Sequence, residues 1–395
     1  MCIFARSFKL KQMQFNQFKF HKGLILILVL LNFACESPQK EKFDFKSLPE
    51  KEVKYASTFS IYEAENFKVI EVKEPWPEAE KSLVYALAEN PDKLPKNFEY
   101  HHFIKLPIEK MVVTSTTHIP SLEHLGDLNK LIGFPGLDYI SSKQARELID
   151  QGKIKELGKN ENINTELLIS LAPEIVVGFA IEGSNKSLNT LEKMGVPVLY
   201  NSDWLEKNPL GKAEWLKVFG LLTGKEKEAF KAFEEIEKSY LQTKKIASET
   251  TDQPLVISGA MHNDRWYLPY GNSWQGKLLE DANAKYIFDY TSGSGSIALA
   301  FEKVLEKGRQ AEFWIGPAQY TSLNQLLDNN KHYKKFKAFQ DKNVYGTALI
   351  TGKTGGVVYY ELGPNRPDLV LKDLVKILHP KLLKKHKLQF FKALE

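Results

Sequence analysis

The first folded segment of the chain carries apolar residues at every second position, which is the spacing of a half-buried β-strand. Three such runs occur, at 59–61, 69–72 and 83–87, and Asn66 marks a turn between the first two. The pattern therefore predicts a small antiparallel β element within an N-terminal segment of residues 55–106.

After Met111 the pattern changes to short apolar runs that alternate with amphipathic helical stretches, which is typical of α/β units. One series of these units precedes a stretch rich in good helix formers, Ala213 to Ala247, and a second series follows it. The sequence predicts an α/β fold with two Rossmann-like lobes joined by one long α-helix, after the small N-terminal antiparallel β element. The predicted boundaries are 107–205 for the N-terminal lobe, 206–249 for the linking helix and 250–395 for the C-terminal lobe.

The two series repeat one local arrangement. In the first, Glu166 lies in the first turn of a short predicted helix, and an apolar strand ending near Gly178 follows. In the second, Glu302 has the same place before a strand that ends near Gly316. A polar loop containing aromatic residues follows each strand, and open α/β sheets bind ligands at the carboxyl ends of their strands. These loops are therefore expected to build a ligand site.

The N-terminus has the features of an export signal. A basic stretch precedes the apolar run 24–31, which is too short to span a bilayer, and Ala34-Cys35 follows shortly after. The segment resembles a bacterial lipobox of the loose kind found in Bacteroidetes, although Asn32 stands where an aliphatic residue is usual. We expect residues 1–34 to be a signal peptide, Cys35 to be lipidated, and 35–54 to be a flexible tether.

Charge and cysteine content exclude several classes of function. The formal net charge is +5, but residues 1–34 hold five basic residues and no acidic one, which leaves 49 basic and 49 acidic residues in the mature chain. A nucleic-acid-binding protein would normally keep a basic surface in its folded part. The two cysteines, Cys2 and Cys35, provide neither a disulfide framework nor a cysteine-based zinc site.

Several segments, in order and spacing, resemble the periplasmic binding proteins with a rigid helical backbone, which bind ferric siderophores, haem or vitamin B12. The resemblance covers residues 107–382, and the additional β element resembles versions found in Bacteroidetes. The segments that carry it are Lys110 to Ser115, Leu122 to Gly126, Leu131 to Gly133, Asn164 to Val176, Leu210 to Trp215 and Pro367 to Pro380.

The resemblance implies a monomeric solute receptor, lipid-anchored at the periplasmic face of the cell envelope, that serves an ABC permease and its ATPase. Its ligand would be an iron chelate, haem or a corrinoid, and no intrinsic cofactor is expected. In this family a Glu of each lobe pairs with arginines of the transmembrane subunits, and the matching places here are Glu166 and Glu302. One carboxylate in each lobe would fix the orientation of docking by charge complementarity.

Residues in loops at strand ends are the candidate ligand contacts, because a large, flat or apolar chelate needs aromatic walls with few polar anchors. His118 follows the first strand of the first lobe and is a candidate contact or haem-iron ligand. The aromatic candidates at such positions are Trp204, Trp266, Tyr320 and Tyr359.

Other functions receive less support from the sequence. The pair His101-His102 offers metal-binding side chains, but the second half has no dense set of His and Asp residues, so surface or core roles are favoured and no metal site is predicted. No nucleophile with a base and an orienting group is visible, so no catalysis is predicted. The alternatives are a ligand-storage or surface-binding lipoprotein without a transporter, a metal-ion receptor, and a nitrogenase-like enzyme.

Overall fold

The computed structural model describes residues 42–395 except 182, 184 and 294. The predicted lipidation site, Cys35, and the signal peptide lie outside the described residues. An N-terminal sheet in the order β1-β2-β3-β4 comes first; β1, β2 and β3 are antiparallel, as predicted, and β4 joins β3 in parallel. These strands span Phe59–Glu63, Lys68–Val72, Leu83–Ala88 and His102–Lys105.

Part of the segment predicted to be a tether packs onto the folded chain. The backbone N–H of Lys51 donates to the carbonyl of Ile61 at 2.8 Å, and Glu50 forms a β-bridge with Tyr62. The backbone N–H of Lys54 donates to the carboxylate of Glu214 at 2.8 Å. These backbone groups are held by the rest of the domain although the composition of the segment is polar.

The first lobe contains a parallel sheet in the order β11-β10-β5-β6-β7. Its central strands are fully buried and consist mainly of Val, Ile and Met, as expected for strands covered on both faces. The strands of this lobe are β5 Met111–Val113, β6 Leu131–Phe134, β7 Lys155–Glu156, β8 Gly158–Lys159, β9 Asn162–Ile163, β10 Ile175–Gly178 and β11 Val198–Tyr200. Its helices are α1 Ile119–His124, α2 Lys143–Asp150, α3 Thr165–Ser170 and α4 Lys186–Lys193.

The linking segment contains α5 Pro209–Glu214, α6 Leu216–Thr223 and the 23-residue α7 Glu226–Ser248. Helix α6 ends at Gly224, whose positive φ of 77° is the left-handed conformation that ends a helix. A further break at Trp215 was not predicted. Helix α7 buries a stripe of residues three or four positions apart, which is how an amphipathic helix covers a core. These buried residues are Ala229, Ala232, Phe233, Ile236, Tyr240, Thr243 and Ala247.

The second lobe repeats the plan of the first, with a sheet in the order β15-β12-β17-β18-β19 whose last strand is antiparallel. Its strands are β12 Leu255–Ser258, β13 Ala260–His262, β14 Arg265–Pro269, β15 Lys285–Tyr286, β16 Ser296–Leu299, β17 Phe313–Ile315, β18 Val344–Gly346 and β19 Lys392–Ala393. Its helices are α8 Trp274–Asp281, α9 Phe301–Gly308, α10 Leu323–Asn329, α11 Lys337–Gln340, α12 Val358–Leu362 and α13 Pro367–Leu378.

An additional antiparallel sheet of β13, β14 and β16 was not predicted. The sequence placed Trp266 in a loop, whereas it lies in β14. The alternation along this strand is clear in the structure, since Trp266 is buried and its neighbour Tyr267 is exposed. This period-2 pattern was not recognised in the sequence because Pro, Gly and Asn residues, which are typical of turns, surround the strand.

Candidate functional site

A cavity lies between the two lobes at the carboxyl ends of their parallel strands. The first lobe contributes Thr114 to Thr116 after β5, Phe134 at the end of β6 and Phe179 after β10. The second lobe contributes Gln319, which follows β17, and the segment from Gly355 to Tyr360. The cavity measures about 490 Å³, within the range of small-molecule sites. A cavity therefore lies at the strand ends, where the sequence predicts the ligand site.

The chemistry of this interlobe cavity is neutral and rich in aromatic groups. Among the described residues that line it, none carries a formal charge at pH 7. Tyr139 from the first lobe and Tyr360 from the second are 72% and 47% exposed, which leaves both rings accessible to a ligand. The full lining consists of Thr114, Ser115, Thr116, Phe134, Pro135, Tyr139, Asn160, Phe179, Gln319, Gly355, Gly356, Val357 and Tyr360.

Two further chambers in the second lobe share walls with the interlobe cavity. An open chamber of about 720 Å³ is lined by Tyr267 and Tyr320 and shares Gln319 with the cavity. A smaller chamber of about 210 Å³ shares Tyr360 with it. Because the cavity and the two chambers have wall residues in common, the three spaces are adjacent. A large ligand seated between the lobes can therefore extend over the surface of the second lobe.

The segment from Gly352 to Asn365 connects the second lobe to the first beside the cavity. A Cβ atom on Gly356 would lie 2.2 Å from the carbonyl oxygen of Tyr139, so only glycine allows this approach of the two backbones. The hydroxyl of Thr354 donates to the carbonyl of Asp138 at 2.8 Å. The glycines of this segment thus allow a close contact between the lobes.

Buried polar groups complete this contact. The carboxylate of Glu361 accepts hydrogen bonds from the backbone N–H groups of Ser141 and Ser142, at 2.7 and 2.8 Å. Burial raises the pKa of Glu361 to about 7, although the hydrogen bonds from Ser141 and Ser142 oppose the shift. Asn365 accepts from the hydroxyl of Ser121 at 2.8 Å and donates to the carbonyl of Thr117 at 2.7 Å. The two lobes are therefore held together on one side of the cavity.

The predicted contacts Tyr320 and Tyr359 are placed in the neighbouring chambers. Tyr320 lines the open chamber and is half-buried. Tyr359 is 6% exposed, lines the smaller chamber and stacks on Trp274 with ring centroids 5.9 Å apart. Neither residue lines the interlobe cavity itself, whereas Tyr360, one position beyond Tyr359, does.

Trp266 is fully buried, and its expected place on the cavity wall is corrected. Its indole N–H donates to the carbonyl of Ser258 at 2.9 Å, and its ring stacks on Trp314 with centroids 5.3 Å apart. The aromatic cluster that includes Tyr333 and Phe336 leaves no side of the ring open. Trp266 therefore supports the core of the second lobe and takes no part in the site proposed below.

His118 and Trp204 were predicted as ligand contacts and lie in the 3-10 turns that follow β5 and β11. His118 is 1% exposed, and burial lowers its pKa to about 4, against a favourable interaction with Asp203, so the imidazole is neutral at pH 7. Trp204 lies in the 3-10 turn Asp203–Leu205 and is half-buried. Neither residue is among those that line the cavities described above. A role as direct ligand contacts is therefore not supported by their positions.

Tyr139 and Tyr360 line the interlobe cavity but are not among the ligand contacts that the sequence predicts. Tyr139 belongs to the 3-10 turn Leu137–Tyr139 after β6, and a polar loop at a strand end was the signal that could have identified it. Tyr360 lies in α12, a single turn of helix that was not predicted. The preceding glycines concealed this helix, because they are poor helix formers.

The two glutamates expected to dock on a permease occupy equivalent places in the two lobes. Glu166 is in the first turn of α3 before β10, and Glu302 is in the first turn of α9 before β17. Strand β10 lies between β5 and β11, and β17 lies between β12 and β18, so the surrounding topology also matches. Both side chains are exposed.

A comparison with protein families identifies the chain. The model of the family described as periplasmic binding protein matches residues 111–348, from the first strand of the first lobe to just beyond β18. The chain belongs to the periplasmic binding protein family. This family comprises solute-binding proteins, and the two-lobed fold with a cavity between the lobes agrees with that membership.

An uncharacterized lipoprotein of Methanocaldococcus jannaschii is 29% identical over 309 residues, which is 76% of this chain and 71% of the relative. A periplasmic binding protein of Veillonella parvula superposes with a TM-score of 0.57 at 13% identity, covering 84% of this chain and 97% of that one. A periplasmic heme binding protein of Pseudomonas aeruginosa has a TM-score of 0.55 at 16% identity, covering 73% and 98%. At these identities the solved structures share the fold.

No helix among residues described by the structure is long and apolar enough to cross a membrane.

Proposed function

We propose that the protein is a lipid-anchored solute receptor that captures an iron chelate, haem or a corrinoid and delivers it to an ABC importer. The observation that carries this proposal is the neutral, aromatic-lined cavity between the two lobes of a periplasmic binding protein. Walls of this kind suit a large ligand with apolar surface and a few polar anchors. Solved relatives of the same fold include heme binding proteins, which agrees with a ligand of this class.

Within this function, Tyr139 and Tyr360 are the ligand contacts of the two lobes, and Tyr320 contacts the part of a large ligand that extends into the open chamber. Tyr359 supports Tyr360 from behind, since the two rings meet edge to face with centroids 5.6 Å apart. A ring from each lobe allows the ligand to be held between the lobes. The protein itself carries no resident cofactor and performs no catalysis in this proposal.

Docking on the permease is assigned to Glu166 and Glu302. Each carboxylate is exposed on the first turn of a helix, where it can meet an arginine of one transmembrane subunit. A Glu in the first turn is also stabilised by the helix macrodipole, by about 0.3–1 kcal/mol, and this alone would explain a single occurrence. Its recurrence at topologically matching places in both lobes favours a shared partner surface.

Anchoring is assigned to Cys35, whose acyl chains would hold the receptor at the periplasmic face of a membrane. The name of the relative from Methanocaldococcus jannaschii, a lipoprotein, supports this assignment.

The function is tested by native mass spectrometry of the full chain with haemin, cyanocobalamin and a ferric hydroxamate chelate. One of these compounds is expected to remain bound at one equivalent, in competition with the other two. If none of the three binds, the proposed ligand class is wrong.

A further inference from the structure

Away from the interlobe cavity, two histidines of the N-terminal sheet meet a carboxylate of the first lobe. The Nε2 atom of His101 lies 2.8 Å from Oε1 of Glu192, and Nε2 of His102 lies 3.1 Å from the same oxygen. The potential ligand atoms of all three residues lie within 4.8 Å of one another. His102 begins β4 and Glu192 is near the end of α4, so the cluster joins two elements about ninety positions apart in the chain.

Neighbouring aromatic side chains hold the three residues of the cluster in place. The hydroxyl of Tyr200 donates to Oε2 of Glu192 at 3.4 Å and leaves Oε1 facing the two histidines. Tyr85 packs against both imidazoles, with ring centroids 5.8 and 6.5 Å away, and restricts their orientation.

We propose that His101, His102 and Glu192 form a binding site for a divalent transition metal ion of the Zn²⁺ type. Two imidazoles and one carboxylate are a donor set that Zn²⁺ accepts, with bonds of about 2.0–2.2 Å. Tetrahedral bonds of that length place neighbouring ligand atoms roughly 3.3 Å apart. The present separations of 2.8 and 3.1 Å therefore need to open by only roughly half an ångström or less.

The surroundings of the cluster allow this adjustment. The side chains of His101, His102 and Glu192 are 32%, 19% and 19% exposed, so an ion can enter and a water molecule can complete its coordination. None of these three residues lines the interlobe cavity, so the inference stands independently of the proposed solute. A bound ion would join β4 to α4 and thereby fix the N-terminal sheet on the first lobe.

Sequence reasoning favoured a role for His101 and His102 without metal. The adjacent histidines carry no spacing signal, and Glu192 comes about ninety positions later. Only the fold brings the third ligand to the pair. The sequence expectation that the chain has no metal site is therefore replaced by this proposal.

The test is calorimetric titration of the full chain with Zn²⁺ alone, comparing the wild type with a His101→Ala/His102→Ala double variant and with Glu192→Gln. His332→Ala serves as the matched control, because His332 is exposed and belongs to the second lobe. The difference in bound Zn²⁺ between wild type and variant is the measured quantity, because any zinc held elsewhere on the chain is common to both proteins. The double variant is expected to lose one equivalent of Zn²⁺, and Glu192→Gln to bind it about tenfold or more weakly.

The midpoint of thermal unfolding, measured with and without Zn²⁺, provides a second readout. A hydrogen-bonded cluster that binds no metal would give no zinc-dependent shift of this midpoint. The midpoint of the wild type and of His332→Ala is expected to rise with Zn²⁺, because an ion that binds only the folded state stabilises it. The rise should be absent in the double variant, whatever its stability without metal. Equal zinc stoichiometry and equal midpoint shifts in the wild type and the double variant would overturn the proposal.

Discussion

The carboxylate of Glu361, in the second lobe, accepts a hydrogen bond of 2.7 Å from the backbone N–H of Ser141, in the first lobe. Glu361 is 2% exposed, and burial raises its pKa to about 7. The residue therefore titrates near neutral pH at the contact that holds the lobes together.

This relationship predicts a pH dependence of stability. Between the ordinary pKa of 4.5 and the folded-state pKa of about 7, the folded protein binds more protons at Glu361 than the unfolded chain does. The contribution of this group to the free energy of unfolding therefore decreases as pH rises from 5 to 8. In the Glu361→Gln variant, the decrease in the free energy of unfolding between pH 5 and pH 8 should be smaller than in the wild type by about 1–3 kcal/mol. Urea unfolding of both proteins at pH 5 and pH 8 measures the difference, and equal losses would contradict the assignment.

The lowered pKa of His118 predicts that the free energy of unfolding changes with pH in the opposite direction at lower pH. Its pKa of about 4 in the folded protein lies below the ordinary value of 6.5, so the unfolded chain binds more protons between these values. The free energy of unfolding should therefore decrease as pH falls from 6.5 to 4. His118→Gln removes the titrating group and should lessen that decrease by about 2–3 kcal/mol, measured by urea unfolding at pH 7 and pH 4.5. His332→Ala, at an exposed position, should retain the wild-type slope.

Much of the fold follows from the sequence because both lobes use short runs of buried β-branched residues. Val112, Val176 and Val256 are fully buried in β5, β10 and β12, which belong to the two series of α/β units that the pattern predicts. The additional sheet of the second lobe is different, since Trp266 and Tyr267 are adjacent aromatic residues and only the pleat of β14 separates the buried ring from the exposed one.

The site could be predicted only as a location. Loops at strand ends were expected to bind the ligand, and Thr114 and Phe179 in such loops do line the cavity. Which aromatic rings reach it depends on how the lobes approach each other, and Tyr139 meets Gly356 through a contact more than two hundred positions apart in the chain. The residue pattern within a short stretch of sequence carries no information about such a long-range contact.

The docking proposal predicts a loss of uptake without a loss of ligand affinity. Replacing Glu166 and Glu302 by Ala removes one carboxylate from each lobe and should abolish transport in cells that carry the cognate permease. The matched control is Glu161→Ala/Glu306→Ala, which removes one exposed carboxylate from each lobe at other positions. Uptake of radiolabelled solute by cells measures the effect. Normal uptake by the Glu166/Glu302 double variant would reject the assignment.

The anchoring proposal predicts that Cys35→Ser releases the protein from membranes, because a lipid chain can no longer be attached. Fractionation of cells followed by immunodetection measures the distribution, with Cys2→Ser as the control that keeps the lipidation site. If the Cys35→Ser protein stays in the membrane fraction to the same extent as the wild type, Cys35 is not the anchor.

The central claim is that a large ligand binds between Tyr139 and Tyr360. The most direct measurement is the dissociation constant for haemin, cyanocobalamin and a ferric hydroxamate chelate, in the wild type and in a Tyr139→Ala/Tyr360→Ala double variant. Tyr290→Ala is the control, because Tyr290 is 64% exposed and lines none of the three chambers. The account predicts that at least one compound binds the wild type at one equivalent and the double variant at least about 30-fold more weakly, with Tyr290→Ala unchanged. Wild-type affinity in the double variant would contradict it.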